Sequence, residues 1–281
     1  MLEKAKYLTT DIVGDSVDSL VIQGIDYVRN HGDDLDARAG TGTQAYNVNY
    51  VLTDAYNRVH ALRAPTSIGY LARELLVYFQ GTLNANDMAN AARFWLSIQD
   101  DDGKINSNYG YYVFHQTVPD GRTQYEWMID VLAKKPKSRR PIININQPHH
   151  KTDTKDMPCT IGMQFFVQDN HLCSVVSSRS TDVITGLPYD QGFFSFVLEL
   201  AHRDLVDRGH ADLQLGYCMM KSTFTQLYDS RKKLEDEIVA KKDEEMPLIL
   251  MPKITYAKVV LDDIANGTAH SEIIQWCQEN G

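Results

Sequence analysis

The chain has 281 residues, 43% hydrophobic and 23% charged, with 28 basic against 37 acidic side chains and a net charge of −9. This composition excludes a disordered, collagen-like or rod-like chain, and the length is enough to bury a core without disulfide staples. The acidic balance excludes a bulk footprint for duplex nucleic acid, so no nucleic-acid partner is expected, although a few converging arginines would still hold a small anion. No apolar run reaches the roughly 18 residues of a membrane span and the first residues lack the apolar core of a signal peptide, so the expected location is the cytoplasm.

Residues 1–20 read as a polar lead-in, with helical periodicity starting near Val17 and running to about Arg29. His31-Gly32-Asp33-Asp34 breaks that pattern, and DLDARAGTGTQ follows as a loop. Thr66 to Gln80 reads as a helix closed by Gly81. A loop at Asp100–Gly103 leads into INSNYG. PIININ (141–146) reads as a strand. Cys159 to Gln168 reads as another, with Ile161, Met163, Phe165 and Val167 on one face. Asp169-Asn170 is the turn and HLCSVVSS (171–178) the return strand of a hairpin. Phe193 to Arg203 reads as an apolar helix, and RKKLEDEIVAKKDEE (231–245) as a solvated helix face with i,i+4 ion pairs. PLILMPKITYAKVVL (247–261) has the look of strand material. No repeat, low-complexity segment or linker interrupts the chain, which predicts one α+β domain over residues 1–281.

Four cysteines, at 159, 173, 218 and 277, form no CxxC pair and no zinc spacing with histidine. Cys173 and Cys218 lie in apolar contexts and read as small buried hydrophobes. Cys159 follows a proline at the head of a predicted strand, and Arg179 lies on the return strand of the same hairpin. An arginine beside a thiol favours the thiolate, which is the nucleophilic form. Arg38 sits in a glycine-bearing loop that is not a P-loop, because no Gly-Lys-Ser/Thr follows. Arg139 and Arg140 are adjacent before a strand, so their side chains point opposite ways, which leaves open one arginine at a local site and the other on a different surface, or a solvated basic pair. His149-His150 reads as an exposed pair in a loop, not a metal site.

Eight motifs run in order: RAGTGT (38–43), RELLVYFQG (73–81), FW (94–95), NYG (108–110), SRR (138–140), PCTIGMQF (158–165), RSTD (179–182) and GLPYD (186–190). In this order they resemble the thymidylate synthase family, which includes the pyrimidine nucleotide hydroxymethylases. The resemblance spans about residue 20 to residue 230. It implies a mixed sheet covered by helices, with a sheet face packing in a homodimer. It implies 5,10-methylenetetrahydrofolate as the one-carbon source and a nucleoside monophosphate as substrate. Cys159 matches the cysteine that adds to C6 of the pyrimidine, which makes C5 a carbon nucleophile. Arg38, Arg179 and Ser180 match phosphate ligands of one subunit, and Arg139 and Arg140 match the pair that crosses from the partner. Glu74 matches the buried glutamate that organises protons and water near C4. Trp95, Asp182 and Gly186 match the folate side, Tyr109 a tyrosine near the cysteine, and Tyr228 the tyrosine that contacts the sugar.

Three departures bear on the reaction. Where synthases carry Asn, this chain has Asp190. A carboxyl group accepts from the 4-amino group of cytosine and shares a proton with N3, whereas an amide suits uracil. Thr160 stands where synthases usually have His, and it resembles the phage deoxycytidylate hydroxymethylases, in which water and not hydride completes the reaction. Gln226 replaces a His two residues before Tyr228, which leaves dCMP and CMP both open. The expectation is a hydroxymethylase of dCMP, with CMP or dUMP hydroxymethylation and synthase-type methylation as alternatives. A catalytically silent nucleotide- or RNA-binding regulator is the alternative of a different class. A phage-encoded enzyme of this kind would work in the host cytoplasm, and the segment 247–281 has no assigned role.

Overall fold

The computed structural model describes residues 8–244 and 251–281. Its centre is one mixed sheet of seven strands. They are β1 (Thr10–Gly14), β2 (Asp33–Ala37), β3 (Gly40–Leu52), β4 (Ile142–Asn144), β5 (Thr160–Gln168), β6 (His171–Asp182) and β7 (Gln214–Tyr228). The order across the sheet is β1-β3-β7-β6-β5-β4, with β2 also paired to β3. β1 runs parallel to the far end of β3 and β6 parallel to β7; the other pairs are antiparallel.

Helices cover one face. They are α1 (Val17–His31), α2 (Thr66–Gln80), α3 (Ala85–Met88), α4 (Gln124–Lys134), α5 (Leu187–Asp207), α6 (Lys232–Ala240), α7 (Ala257–Asn266) and α8 (Glu272–Asn280). In α1, Val17, Leu20, Val21, Gly24, Ile25 and Val28 turn inward at helical spacing, and Ser16 caps the first turn by accepting from the Ser19 amide. α2 ends at Gly81, whose φ of 64° is the left-handed cap the sequence predicts. α5 is buried nearly all round and lays Phe193, Phe196, Val197 and Leu200 into the core. α8 packs along α2.

Several expectations change. The lead-in holds β1, an edge strand whose inward residue Ile12 is buried. The loop after Gly32 is a hairpin, because β2 and β3 pair from Asp33 with Gln44 to Ala37 with Gly40. Ile161 is 48% exposed and off the inward face, since a bulge between Thr160 and Gly162 shifts the register there. Met163 and Phe165 do point inward. Asp169 and Asn170 take φ of 47° and 61°, the hairpin turn expected of them. Residues 247–250 lie outside the described residues; of the remaining predicted strand, 251–256 is irregular and 257–261 opens helix α7. Its Ala257, Val260 and Ile264 recur at helical spacing and are buried, and that periodicity overrides β-branched propensity. No helix among the described residues is long and apolar enough to cross a membrane.

Candidate active site

Cys159 lies where the chain enters β5, directly across from β6. Its carbonyl accepts from the Arg179 amide at 2.8 Å and from Ser178 Oγ at 3.0 Å. Its Sγ is 3.8 Å from Ser180 Oγ. The hairpin thus brings Cys159, Arg179 and Ser180 together as the sequence suggests. The segment before the cysteine is held from several sides. Arg179 donates to the carbonyls of Pro158 (3.1 Å) and Met157 (2.7 Å), and Arg38 to that of Lys155 (2.8 Å). Both exposed guanidinium groups therefore border the same short loop, one from β6 and one from the β2–β3 turn.

The loop has a further anchor. Asp156, 5% exposed, accepts from the amides of Asn106 (2.7 Å) and Ser107 (2.8 Å) and from Ser107 Oγ (2.6 Å). Two residues past Ser107 comes Tyr109, and Gly110 follows. A Cβ on Gly110 would lie 2.0 Å from the Tyr78 carbonyl oxygen, so only glycine lets this segment press against α2. The buried Tyr109 phenol then lies within electrostatic reach of Cys159 and Asp190.

Two carboxyl groups complete the interior. Glu74 is on the buried face of α2 and accepts from the Tyr70 hydroxyl at 2.7 Å. Asp190 is in the first turn of α5, where helix geometry by itself favours a charged acid. Burial outweighs that effect and, with Glu74 nearby, holds Asp190 well above the usual carboxylate range. Burial also lifts Glu74 to about 7, against the hydrogen bonds of Tyr70 and Tyr78 that favour its charged form. The Cys159 thiol is pushed up by burial, which outweighs the downward pull of Arg179; Asp190 adds to the rise. Arg179 favours the thiolate, as its position on the return strand suggests, but the desolvation of the thiol outweighs that pull.

A thymidylate synthase family model matches residues 22–270. The chain belongs to the thymidylate synthase family. The deoxycytidylate 5-hydroxymethyltransferases of Enterobacteria phages T4 and T2 are each 30% identical to it over 142 residues, 48% of this chain and 56% of theirs. The chain matches about half the length of these curated relatives.

Within this thymidylate synthase domain, Tyr228 and Gln226 lie at the end of β7. Tyr228 is close enough to Cys159 and Arg179 to feel both, and the Gln226 amide donates to Gln44 Oε1 at 3.1 Å. Asp182 accepts from the amides of Ile184 and Thr185 and from Thr185 Oγ1, which folds the turn into Gly186 and α5. Trp95 is buried in a short turn at Arg93–Ser97 with its indole N–H unpartnered, beside Phe94, which is 57% exposed.

Arg139 and Arg140 are not brought to Cys159 of their own chain. The Pro141 carbonyl pairs with the Phe165 amide, six residues along β5 from Cys159 and about 20 Å away at the rise of a strand. Arg140 instead lies 5.7 Å over the Trp127 ring. His149 is exposed, but His150 is buried, against expectation: its ring bonds Tyr112 and the Gln147 amide, and burial lowers it to about 4. No metal-holding cluster of His, Cys, Asp or Glu occurs among the described residues. Sequence reasoning missed Tyr70, Asp156 and Gln44. Tyr70 had a signal, since it stands four residues before Glu74 on a predicted helix.

Proposed function

We propose that this protein transfers a hydroxymethyl group to C5 of a cytosine nucleoside 5′-monophosphate, with dCMP as the substrate. The observation that carries the reading is Asp190: an acid in the first turn of α5 whose burial beside Glu74 favours its protonated form, within electrostatic reach of Cys159. A carboxyl whose proton is held on the oxygen facing N3 donates to N3 of cytosine and accepts from its 4-amino group; in that arrangement uracil would set its N3–H against a donor and its O4 against an acceptor. The names of the phage relatives support the same substrate.

In this reading Arg38, Arg179 and Ser180 bind the phosphate beside Cys159, and their local charge outweighs the net charge of the chain. Cys159, as thiolate, adds to C6. Its proton has to leave a buried thiol, so the phosphate arginines and the bound base must offset the desolvation that holds it neutral. Tyr109 and Glu74 handle the protons at C5 and around the 4-amino group. Tyr228 and Gln226 bind the sugar, with the Gln226 oxygen left to accept because its nitrogen is committed to Gln44.

The folate fits what the residues offer: Trp95 has a buried, unpartnered indole N–H and Phe94 an exposed ring, a donor and a ledge for a flat heterocycle. Trp95, Asp182 and Gly186 would hold 5,10-methylenetetrahydrofolate, which supplies the one-carbon unit when bound. The overall balance is dCMP, methylenetetrahydrofolate and water giving 5-hydroxymethyl-dCMP and tetrahydrofolate. Glu74 and Asp190 orient that water.

The reading includes a homodimer. The uncovered face of the sheet shows Ile142, Phe166, Val175 and Met219, and a cleft of about 520 Å³ there is lined by Arg139, Gln164, Phe166 and Val175. Arg139 and Arg140, too far from their own Cys159, then serve the partner's phosphate.

Incubation with methylenetetrahydrofolate and, separately, dCMP, CMP and dUMP tests this by product mass. A gain of CH₂O on dCMP is expected. A gain of CH₂ would replace hydroxymethylation by synthase-type methylation, and reaction of dUMP alone would remove the role of Asp190. Tight RNA binding without turnover would favour a regulator, a reading that the acidic balance and the intact nucleophile set oppose.

A further inference from the structure

Glu74 and Asp190 lie near enough inside the protein for the charge of Glu74 to raise Asp190. Around Glu74, α2 contributes the phenols of Tyr70 one turn before and Tyr78 one turn after. From α5 come Asp190 and Tyr189. Behind Tyr189 stand the guanidinium groups of Arg63 and Arg73, and beside Asp190 the Tyr109 phenol and the Cys159 thiol. Ionising one of two such acids disfavours ionising the other, and the group with hydrogen-bond donors takes the charge first. Glu74 has those donors: Tyr70 gives it a bond of 2.7 Å. The Tyr70 ring is fixed in turn against Tyr189, with centroids 4.4 Å apart, one residue before Asp190.

We propose that Tyr70 is a positioning residue for the reaction: its hydroxyl fixes the Glu74 carboxyl and keeps the single proton of the Glu74–Asp190 pair on Asp190. There it serves the N3 edge of cytosine, while Glu74 is left charged to accept a proton from water. The inference rests on the functional reading of these two acids. Phe at position 70 would keep the ring and its packing on Tyr189 and lose only the donor, so the role is separable from folding.

The test is a pH titration of the carboxyl stretch by difference infrared spectroscopy on the full chain, without substrate, in wild type, Y70F and E74Q. The band lost in E74Q is that of Glu74. Its midpoint is expected near 7 in wild type and about one unit higher in Y70F. With dCMP, Y70F should lose about fivefold in kcat at pH 7, recover to near wild type at pH 9, and keep KM within about threefold. An unmoved midpoint, or a kcat loss equal at the two pH values, overturns the proposal. A midpoint that moves in a protein that makes no product upholds Tyr70's control of the proton and overturns the substrate reading instead.

Discussion

The Ser107 hydroxyl donates to Asp156 at 2.6 Å, and this bond ties the segment carrying Tyr109 to the loop carrying Cys159. The same carboxylate takes two backbone amides, so three donors converge on one buried acid. An acceptor-only group suits them; an Asn would aim an NH₂ at donors. Asp156→Ala should cost about 2–4 kcal/mol in urea unfolding, the penalty for leaving buried donors unpaired. It should also lower kcat at least about tenfold by letting the nucleophile drift from Tyr109. Ser107→Ala should cost less, and the double variant less than the sum. Additive losses would show that the two side chains act separately.

The reactivity of Cys159 is set by opposed neighbours. Burial and Asp190 disfavour the thiolate, and Arg179 favours it. Alkylation by iodoacetamide should therefore show a midpoint above that of an unperturbed cysteine, with Cys159→Ser as the blank. Removing the cation in Arg179→Ala should move the midpoint further up, and Asp190→Asn, which removes a group able to ionise beside the thiol, should move it down. Shifts of the same sign in both variants would contradict this electrostatic account.

Glu74 carries a stability cost with a defined pH window. Its pKa is raised from 4.5 to about 7 in the fold, so the folded state keeps a proton that the unfolded chain loses. Its contribution is present below about pH 4.5 and is lost as the pH rises toward 7, by about 3 kcal/mol in all. Asp190 acts with the same sign. Glu74→Gln should thus be more stable than wild type by roughly 2–3 kcal/mol at pH 8 and show no gain at pH 4. It should at the same time lose most activity. Denaturant titrations at the two pH values check the sign, and an equal difference at both would mean that packing, not ionisation, is responsible.

The sequence made some of this legible and hid the rest for physical reasons. Helix α2 is visible because its apolar face and Gly81 agree, and the β5–β6 hairpin because Asp169-Asn170 supports the alternation on either side. Strand β7 is hidden: Ser222, Thr225 and Gln226 face inward along with Cys218 and Met220, so burial does not coincide with hydrophobicity. The β2–β3 hairpin is hidden by its glycines and exposed aspartates. In the site, motif order places Cys159, Arg179, Glu74 and Asp190. Asp156 and Tyr70 fall outside any chemistry that spacing announces, because they act on other residues through hydrogen bonds that only the fold brings about. The balance between Arg179 and burial at Cys159 is likewise a property of packing, which residue types alone do not carry.

The separation of Arg139 and Arg140 from their own Cys159 allows a test of the proposed dimer. A Cys159→Ser protein keeps its arginines, and an Arg139→Ala/Arg140→Ala protein keeps its cysteine. Each alone should be nearly inactive. If the arginines cross, a mixed dimer has one site with both an intact cysteine and intact arginines, and one site with neither. Random exchange puts half of the protomers in mixed dimers, so an equal mixture should recover about a quarter of wild-type activity per site. The mixture is brought together by mild denaturation and refolding, with each variant treated alone as the control. Activity that stays at the level of the separate variants would mean that the arginines serve no partner site.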